Sequence, residues 1–176
     1  KLKDIEFEGE TYTIDEVVDI GLARIYANQI RSGGFAYYPH MQPSFHLTIH
    51  ITNALIELKA AGYAIREDVL ERAAAFLYKE IERDTWRNNE SVILTAYTLQ
   101  RIKTATKEAQ GMKKYVDALM HDELYTREKI PTTALAYLAL FMKDTGYSKR
   151  QIDTALSTFE HRIDIDGRGA FVSPQK

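Results

Sequence analysis

Three of the chain's five histidines lie in the stretch "RSGGFAYYPHMQPSFHLTIH", residues 31–50. His46 and His50 are four residues apart, a spacing that places two imidazoles on one face of a helix, and His40 comes shortly before them. Three imidazoles could together bind one Zn²⁺. However, no glutamate follows His46 as in the motif His-Glu-x-x-His, and no carboxylate occurs from residue 31 to residue 56. We therefore expect no metal here and interpret the histidines as packing residues, at positions where buried helices carry aromatic side chains.

Gly33, Gly34 and Phe35 form a second candidate, because a glycine pair can cradle a phosphate. The pair lacks the spacing of either common phosphate-binding motif, GxxxxGK[ST] or GxGxxG. It fits a turn that needs a positive backbone φ angle instead. We expect a turn at the rim of the fold, with Phe35, Tyr37 and Tyr38 packed there, and no bound cofactor.

The acidic residues do not form a recognisable catalytic or calcium-binding set. The segment "DIDGRG", residues 164–169, begins like a calcium loop, but Gln175 occupies the twelfth position, which needs an acidic ligand. We interpret the segment as a surface turn. General acid–base catalysis needs paired carboxylates in a concave site, whereas the acidic residues here lie mainly on charged helix faces and helix ends. We expect no catalysis.

Composition limits the class of protein further. The chain has no cysteine, which excludes disulfides, thiolate zinc sites, a cysteine nucleophile and a thioester within these residues. The formal net charge of −2 predicts no nucleic-acid partner, because such a partner requires a basic surface. No apolar run approaches the ~20 residues that cross a bilayer, so we do not expect this segment to insert into a membrane. The length predicts a single domain over residues 1–176.

Helical periodicity dominates the chain after an extended leading segment at residues 1–12. About seven helical stretches follow, joined by short connections, which predicts an all-α fold of antiparallel helical hairpins. Thr13 and Glu16 have the spacing of a capping box at the start of the first helix. Gly62 and Gly146 stand where two later helices should end, because glycine readily adopts the left-handed conformation found there.

Two helical segments repeat each other. Residues 48–66, "TIHITNALIELKAAGYAIR", and 132–150, "TTALAYLALFMKDTGYSKR", align without gaps at an offset of 84 residues. Both contain a Gly-Tyr pair after the helical pattern. A third segment, "LTAYTLQRIKTA" from Leu94, repeats the pair Leu47 and Thr48, so the offset corresponds to two units of about 42 residues each. This period is typical of arrays of helix pairs.

The two helices of each pair differ in character. The stretches "LTIHITNAL", "VILTAYTLQRI" and "TTALAYLALFM" are apolar around most of their circumference, as buried helices are. The stretches "REDVLERAAAFLYKEIER", "KEAQGMKKYVDALMH" and "KRQIDTALSTFEHRI" each have one charged face, as outer helices do. The last is part of a helical stretch, "SKRQIDTALSTFEHRIDI", that runs to Ile165. The alternation of inner and outer helices predicts an α/α toroid or an arc of one.

From about Val17 to Leu77 the chain reads "VDIGLARIYANQIRSGGFAYYPH…FHLTIHITNALIELKAAGYAIREDVLERAAAFL". This stretch resembles the bacterial alpha-2-macroglobulin family. In that family a stretch of the type "GI.RL..MQ..DGGF..WP" is followed by "WLTAYA…L..A...GY.VP...L.RA..YL". Ser32 stands where the family usually has Asp, and Tyr38 where Trp is common. The motif positions carried by the chain are Gly33, Gly34, Phe35, Tyr38, Pro39, Leu47, Thr48, Gly62 and Tyr63, followed more loosely by Leu94, Thr95 and Tyr97.

The resemblance implies part of the thioester-containing, complement-like toroid of a periplasmic or cell-surface protease trap. In the family a protease cleaves a bait segment elsewhere, and the trap closes around it. The present segment would be scaffold, in contact with other domains of the same protein and, through the whole molecule, with target proteases. The family's Cys-x-Glu-Gln thioester lies upstream of the glycine motif. Because about seven helices are fewer than the roughly twelve of the ring, we expect an excised part of a toroid, with exposed apolar ends that self-associate.

Two other classes of function are open at this point. Terpene cyclases and prenyltransferases share the toroid and carry Gly-Gly-Phe loops, but the chain contains neither an Asp-x-Asp-Asp motif nor a cysteine for zinc. A non-catalytic helical-repeat module would instead bind a protein partner through an aromatic-lined concave face.

Overall fold

The computed structural model describes residues 5–7, 9–83, 88–121, 130–160, 163–166 and 169–172. These residues form seven helices and four short strands, so the predicted all-α class is confirmed. The helices are α1 (Ile14–Ala27), α2 (Phe45–Ala60), α3 (Glu67–Glu82), α4 (Asn89–Gln100), α5 (Thr106–His121), α6 (Thr132–Asp144) and α7 (Lys149–Glu160). The strands are β1 (Ile5–Phe7), β2 (Glu10–Tyr12), β3 (Ile163–Asp166) and β4 (Gly169–Val172).

The leading segment, predicted to be extended, forms an antiparallel hairpin in its described part. β1 pairs with β2, and Ile5 lies opposite Tyr12. Gly9 lies in the connection with a φ of 83°, a conformation that glycine adopts without the strain other residues suffer.

A second hairpin corrects the predicted course of the last helix. The helical pattern was expected to run to Ile165, but α7 ends at Glu160, and β3 pairs antiparallel with β4. The reason lies in the sequence, because Ile163 and Ile165 alternate with aspartates at the two-residue period of a strand. Of the predicted surface turn at 164–169, residues 164–166 lie in β3 and Gly169 lies in β4, while residues 167 and 168 lie outside the described residues. Gln175, the missing calcium ligand, lies outside the described residues.

The chain forms two compact units, Lys1–Ala73 and Ala74–Lys176, with the boundary inside α3. In the first unit, α1 begins with the predicted capping box. The N–H of Glu16 donates to Thr13 Oγ1 (3.3 Å), and the N–H of Thr13 donates to Glu16 Oε2 (2.8 Å). This contact lowers the pKa of the Glu16 carboxyl, because the backbone N–H of Thr13 and then its hydroxyl hydrogen-bond to the carboxylate. Leu22 is the one buried residue of α1.

In the second unit, α4 packs against α5 and α6, and α6 packs against α7. α4 is the best example of the predicted inner helices, since none of the residues 91–100 is exposed. Its buried residues are Ser91, Val92, Ile93, Thr95, Ala96, Thr98 and Leu99. α6 is less enclosed, because Tyr137 and Leu140 remain exposed on one side.

The sequence repeat has a matching local geometry in each unit. Gly62 follows α2 with a φ of 98°, and Gly146 follows α6 with a φ of 81°. In both places the N–H of the next residue, Tyr63 or Tyr147, donates to the carbonyl five residues earlier, at 3.1 and 3.2 Å. This is the Schellman arrangement, in which a left-handed residue satisfies the carbonyls at a helix end. The positions predicted for the two glycines are confirmed.

Candidate functional site

The segment between α1 and α2, residues 28–44, is a loop with hydrogen bonds to both α2 and α3, and we refer to it as the joint loop. Gln29 braces it from one side. Its Nε2 donates to the carbonyl of Gly33 (2.9 Å) and to the carbonyl of Val69 in α3 (2.8 Å). Gln29 also forms an isolated antiparallel bridge with Phe35. These bonds connect the first residues of the loop to Gly33 and Phe35, and they connect the loop to α3.

Gly33 allows the joint loop to touch the backbone of α3. Its φ is 96°, so the positive-φ turn predicted at the glycine pair is confirmed here. A Cβ atom on Gly33 would lie only 2.1 Å from the carbonyl oxygen of Arg72. Gly34 is buried, and its carbonyl accepts a hydrogen bond from the N–H of Ile30 (3.0 Å). The glycine pair therefore serves a close approach between two backbones.

Thr48 connects the joint loop to α2. The N–H of Phe35 donates to Thr48 Oγ1 (2.9 Å), and Thr48 Oγ1 donates to the carbonyl of Ser44 (2.7 Å). The N–H of Ser44 donates to the carbonyl of Phe35 (2.9 Å). The Ser44 hydroxyl oxygen caps α2 by accepting a hydrogen bond from the N–H of Leu47 (3.2 Å). The Phe35 ring is fully buried, as expected. Hydrogen bonds that involve the motif residues Phe35, Leu47 and Thr48 thus link the loop to the start of α2.

The tip of the joint loop is exposed, which corrects the prediction that Tyr37 and Tyr38 pack at the rim. We call residues Tyr37–Met41 the exposed aromatic turn. The exposed fractions are 62% for Tyr37, 69% for Tyr38 and 51% for Met41. The predicted packing failed because burial ends abruptly along this segment: residues 33–36 are buried, and every residue from Tyr37 to Gln42 is exposed.

The exposed aromatic turn has a defined backbone conformation. The N–H of Met41 donates to the carbonyl of Tyr38 (3.2 Å), which closes a four-residue turn with Pro39 and His40 at its centre. His40 has a φ of 70°, and it is the one non-glycine residue with positive φ among the described residues. Proline in the second position and positive φ in the third are features of a type II turn, where glycine is the usual third residue. The turn therefore stores local backbone strain at an exposed position.

His46 and His50 also differ from their prediction. Both side chains are exposed, while Phe45, Thr48 and Ile49 face the interior. The expected packing role is therefore wrong: the α2 pattern appeared apolar on all sides, but it leaves one stripe of the helix uncovered. The ring of His46 contacts that of Phe45 edge-on, with centroids 5.6 Å apart. In the part of the chain that the structure describes, no three His, Cys, Asp or Glu side chains come together as a metal site.

The remaining motif residues lie in α4 of the second unit. Leu94 is half-buried, and Thr95 is buried with no hydrogen-bond partner for its hydroxyl among the described residues. The Tyr97 ring lies 4.7 Å from that of Tyr137, and the Arg101 guanidinium lies 5.2 Å from the Tyr97 centroid. These contacts connect α4 with α6 through a surface aromatic pair.

Tyr147, the second tyrosine of the repeat, links the loop after α6 to α5 through a hydrogen bond. Tyr147 donates its hydroxyl hydrogen to Asp117 Oδ1 at 2.6 Å, and Lys113 Nζ lies 5.1 Å from the ring centroid. Burial raises the pKa of the Tyr147 hydroxyl, and the bond to the Asp117 carboxylate raises it further. The group is a structural hydrogen-bond donor at neutral pH.

A shallow depression along α7 is lined by Lys149, Arg150, Asp153, Thr154 and Ser157. Its described lining residues include one carboxylate, that of Asp153, whereas acid–base catalysis would require a pair.

Among the described helices, none has the length and apolar character needed to span a membrane.

Gln29 is the structural residue that the sequence reasoning overlooked. Its position four residues before Gly33 was visible in "NQIRSGGF", but nothing in a single sequence says that its amide will bridge two carbonyls.

No family model, curated protein or solved structure matches the chain.

Proposed function

We propose that the chain is a non-catalytic scaffold within an α/α toroid of the bacterial alpha-2-macroglobulin type, and that its exposed aromatic turn docks on a neighbouring domain. The observation that carries the proposal is the contrast within the joint loop. Its base is held by buried hydrogen bonds from Gln29 and Thr48, whereas Tyr37, Tyr38 and Met41 project into solvent.

A rigid base with an exposed aromatic tip suits a protein contact. Tyrosine and methionine are enriched in protein interfaces, and lysine, aspartate and glutamate are depleted. Residues 32–56 contain none of Lys, Arg, Asp or Glu. Because hydrogen bonds from Gln29 and Thr48 hold the base of the loop, docking should cost less conformational entropy than it would for a loop without them. The turn therefore has the composition and the stiffness of a docking contact.

The toroid part of the proposal rests on the repeat and on the enclosed helix α4. The same helix, left-handed glycine and tyrosine recur at an offset of 84 residues with the same local hydrogen bonds. Helices that alternate between enclosed and amphipathic are what a ring of helix pairs requires. The whole protein would act as a periplasmic or cell-surface protease trap, with this segment as one of its supports.

The full-length protein that carries this segment provides the test. We expect a protease incubated with it to lose activity on a large protein substrate and to keep activity on a small peptide, because a caged protease admits only small molecules. A Tyr37→Ser/Tyr38→Ser variant should lose this protection, whereas Leu140→Ser, which removes an exposed apolar residue elsewhere, should keep it.

The two possible failures separate the two parts of the proposal. If the wild-type protein leaves cleavage of the large substrate unchanged, the protease-trap function is wrong. If the tyrosine double variant protects as well as the wild type, the trap stands and the docking role of the turn is wrong.

A further inference from the structure

We infer that His46 and His50 form a two-imidazole chelate for a late first-row divalent metal ion, with Cu²⁺ bound most tightly. The inference does not depend on the toroid proposal, since it concerns one exposed stripe of α2. No part of the joint loop is needed to form it.

The geometry comes from the helix. Residues four apart on an α-helix lie about 6 Å apart along its axis and on the same face. α2 runs without interruption from Phe45 to Ala60 and is capped by Ser44, so His46 and His50 both lie in the first half of a continuous helix. Both are exposed, and the next residue on this stripe, Ala54, is small and exposed as well. A metal ion can therefore approach both rings from solvent.

The chemistry of the surroundings selects the kind of ion. Imidazole nitrogen suits Cu²⁺, Ni²⁺ and Zn²⁺, and among these the affinity is highest for Cu²⁺. Ca²⁺ and Mg²⁺ prefer carboxylate and carbonyl oxygens, and residues 31–56 supply no carboxylate. The same segment has no lysine or arginine after Arg31 to repel a cation, and Lys59 is the first one beyond it.

The site is open. Because no third His, Cys, Asp or Glu joins the pair among the described residues, at least two coordination positions remain for water or for a group from a partner. Metal binding displaces water from one nitrogen of each ring and uses the lone pair of that nitrogen. The chelate would add to the stability of α2, since the ion binds the helical form more tightly than the unfolded chain.

Titration of the tag-free chain with CuCl₂, NiCl₂ and ZnCl₂ in a non-chelating buffer tests the inference. We expect one saturable site by calorimetry, with the affinity order Cu²⁺ above Ni²⁺ and Zn²⁺. The electron paramagnetic resonance spectrum of the Cu²⁺ form should show coupling to two nitrogen nuclei. The unfolding midpoint should rise with added metal.

Matched variants locate the site. His46→Ala and His50→Ala should each weaken binding by about tenfold or more, because each leaves a single ligand without the chelate effect. His40→Ala removes an exposed histidine outside the pair and should bind like the wild type. His46→Ala/Ala54→His rebuilds a pair four residues apart with His50 and should restore binding.

Three results would overturn the inference: no saturable binding to the wild type, unchanged binding in His46→Ala/His50→Ala, or loss of binding in His40→Ala. Because all substituted positions are exposed, circular dichroism should show a native helix content in each variant. If the rebuilt pair does not bind metal, the four-residue spacing of two histidines on α2 is not the cause of binding.

Discussion

Gly33 and Gly62 share a backbone conformation but lie in different surroundings. Their φ angles are 96° and 98°. A Cβ on Gly33 would collide with the Arg72 carbonyl at 2.1 Å, whereas nothing lies within 4 Å of a Cβ on Gly62. The two positions therefore separate the cost of a left-handed conformation from the cost of a collision between backbones.

We predict that Gly33→Ala lowers the free energy of unfolding by about 2–5 kcal/mol, since left-handed strain and overpacking add. Gly62→Ala should cost only about 1–2 kcal/mol, from the strain alone. Urea unfolding followed by circular dichroism measures both. Equal losses in the two variants would show that the joint loop can move away from α3, contrary to the close approach described above.

The turn conformation at the glycine of the joint loop could be predicted from the sequence, but the exposure of its aromatic side chains could not. Backbone sterics make glycine the residue that fits a positive φ, so Gly33 in a turn and Gly62 and Gly146 at helix ends could be assigned from the sequence. Whether Tyr38 or His46 is covered depends on which other segments reach them. That information lies in distant parts of the chain, and aromatic rings are compatible with both interior and surface.

The helix α4 shows how an element can be enclosed and still keep polar side chains. Thr98 satisfies its hydroxyl by donating to the carbonyl of Leu94 at 2.7 Å. Thr95 is equally buried, but its Oγ1 has no partner among the described residues. A buried hydroxyl without a hydrogen bond is destabilising, because it has lost its water and gained nothing in exchange.

We predict that Thr95→Val raises the free energy of unfolding by about 1–2 kcal/mol, because valine has the same shape without the unsatisfied group. Thr98→Val is the matched control on the same helix and should lower the free energy by about 0.5–1 kcal/mol, the net value of its hydrogen bond. Thermal and urea unfolding measure both differences. A lower stability of Thr95→Val would mean that a buried water serves this hydroxyl.

Element boundaries followed from the sequence where a specific local interaction sets them. The capping box of Thr13 and Glu16 and the left-handed glycines after α2 and α6 lie where the sequence predicts them. The end of α7 was misplaced, because Ile163 and Ile165 fit either the charged-face helical pattern or an alternating strand. Pairing with β4 decides between these two, and such pairing depends on residues beyond the helix pattern.

At the scale of the whole molecule, the all-α class follows from periodicity, whereas a ring of helices stays a prediction. Periodicity reports which face of a helix is apolar, but it does not report which other helix covers that face. α1 illustrates the difference. It has the regular apolar spacing of a packed helix, yet Leu22 is its one buried residue, and Val17 and Ile20 are 37% and 44% exposed.

We predict that the chain self-associates through this exposed side of α1. Val17 and Ile20 lie three residues apart on one face, and Gly21 beside them has nothing within 4 Å of a Cβ, so a second helix can approach closely. In an antiparallel pair the acidic first turn, with Asp15 and Glu16, would lie near Arg24 of the other copy.

Sedimentation should show an average mass that rises with concentration. Val17→Lys/Ile20→Lys should weaken association at least about tenfold, since it places like charges in the contact, while Leu140→Lys should not. A mass that stays monomeric at every concentration, or one that rises equally in the α1 variant, would refute this contact.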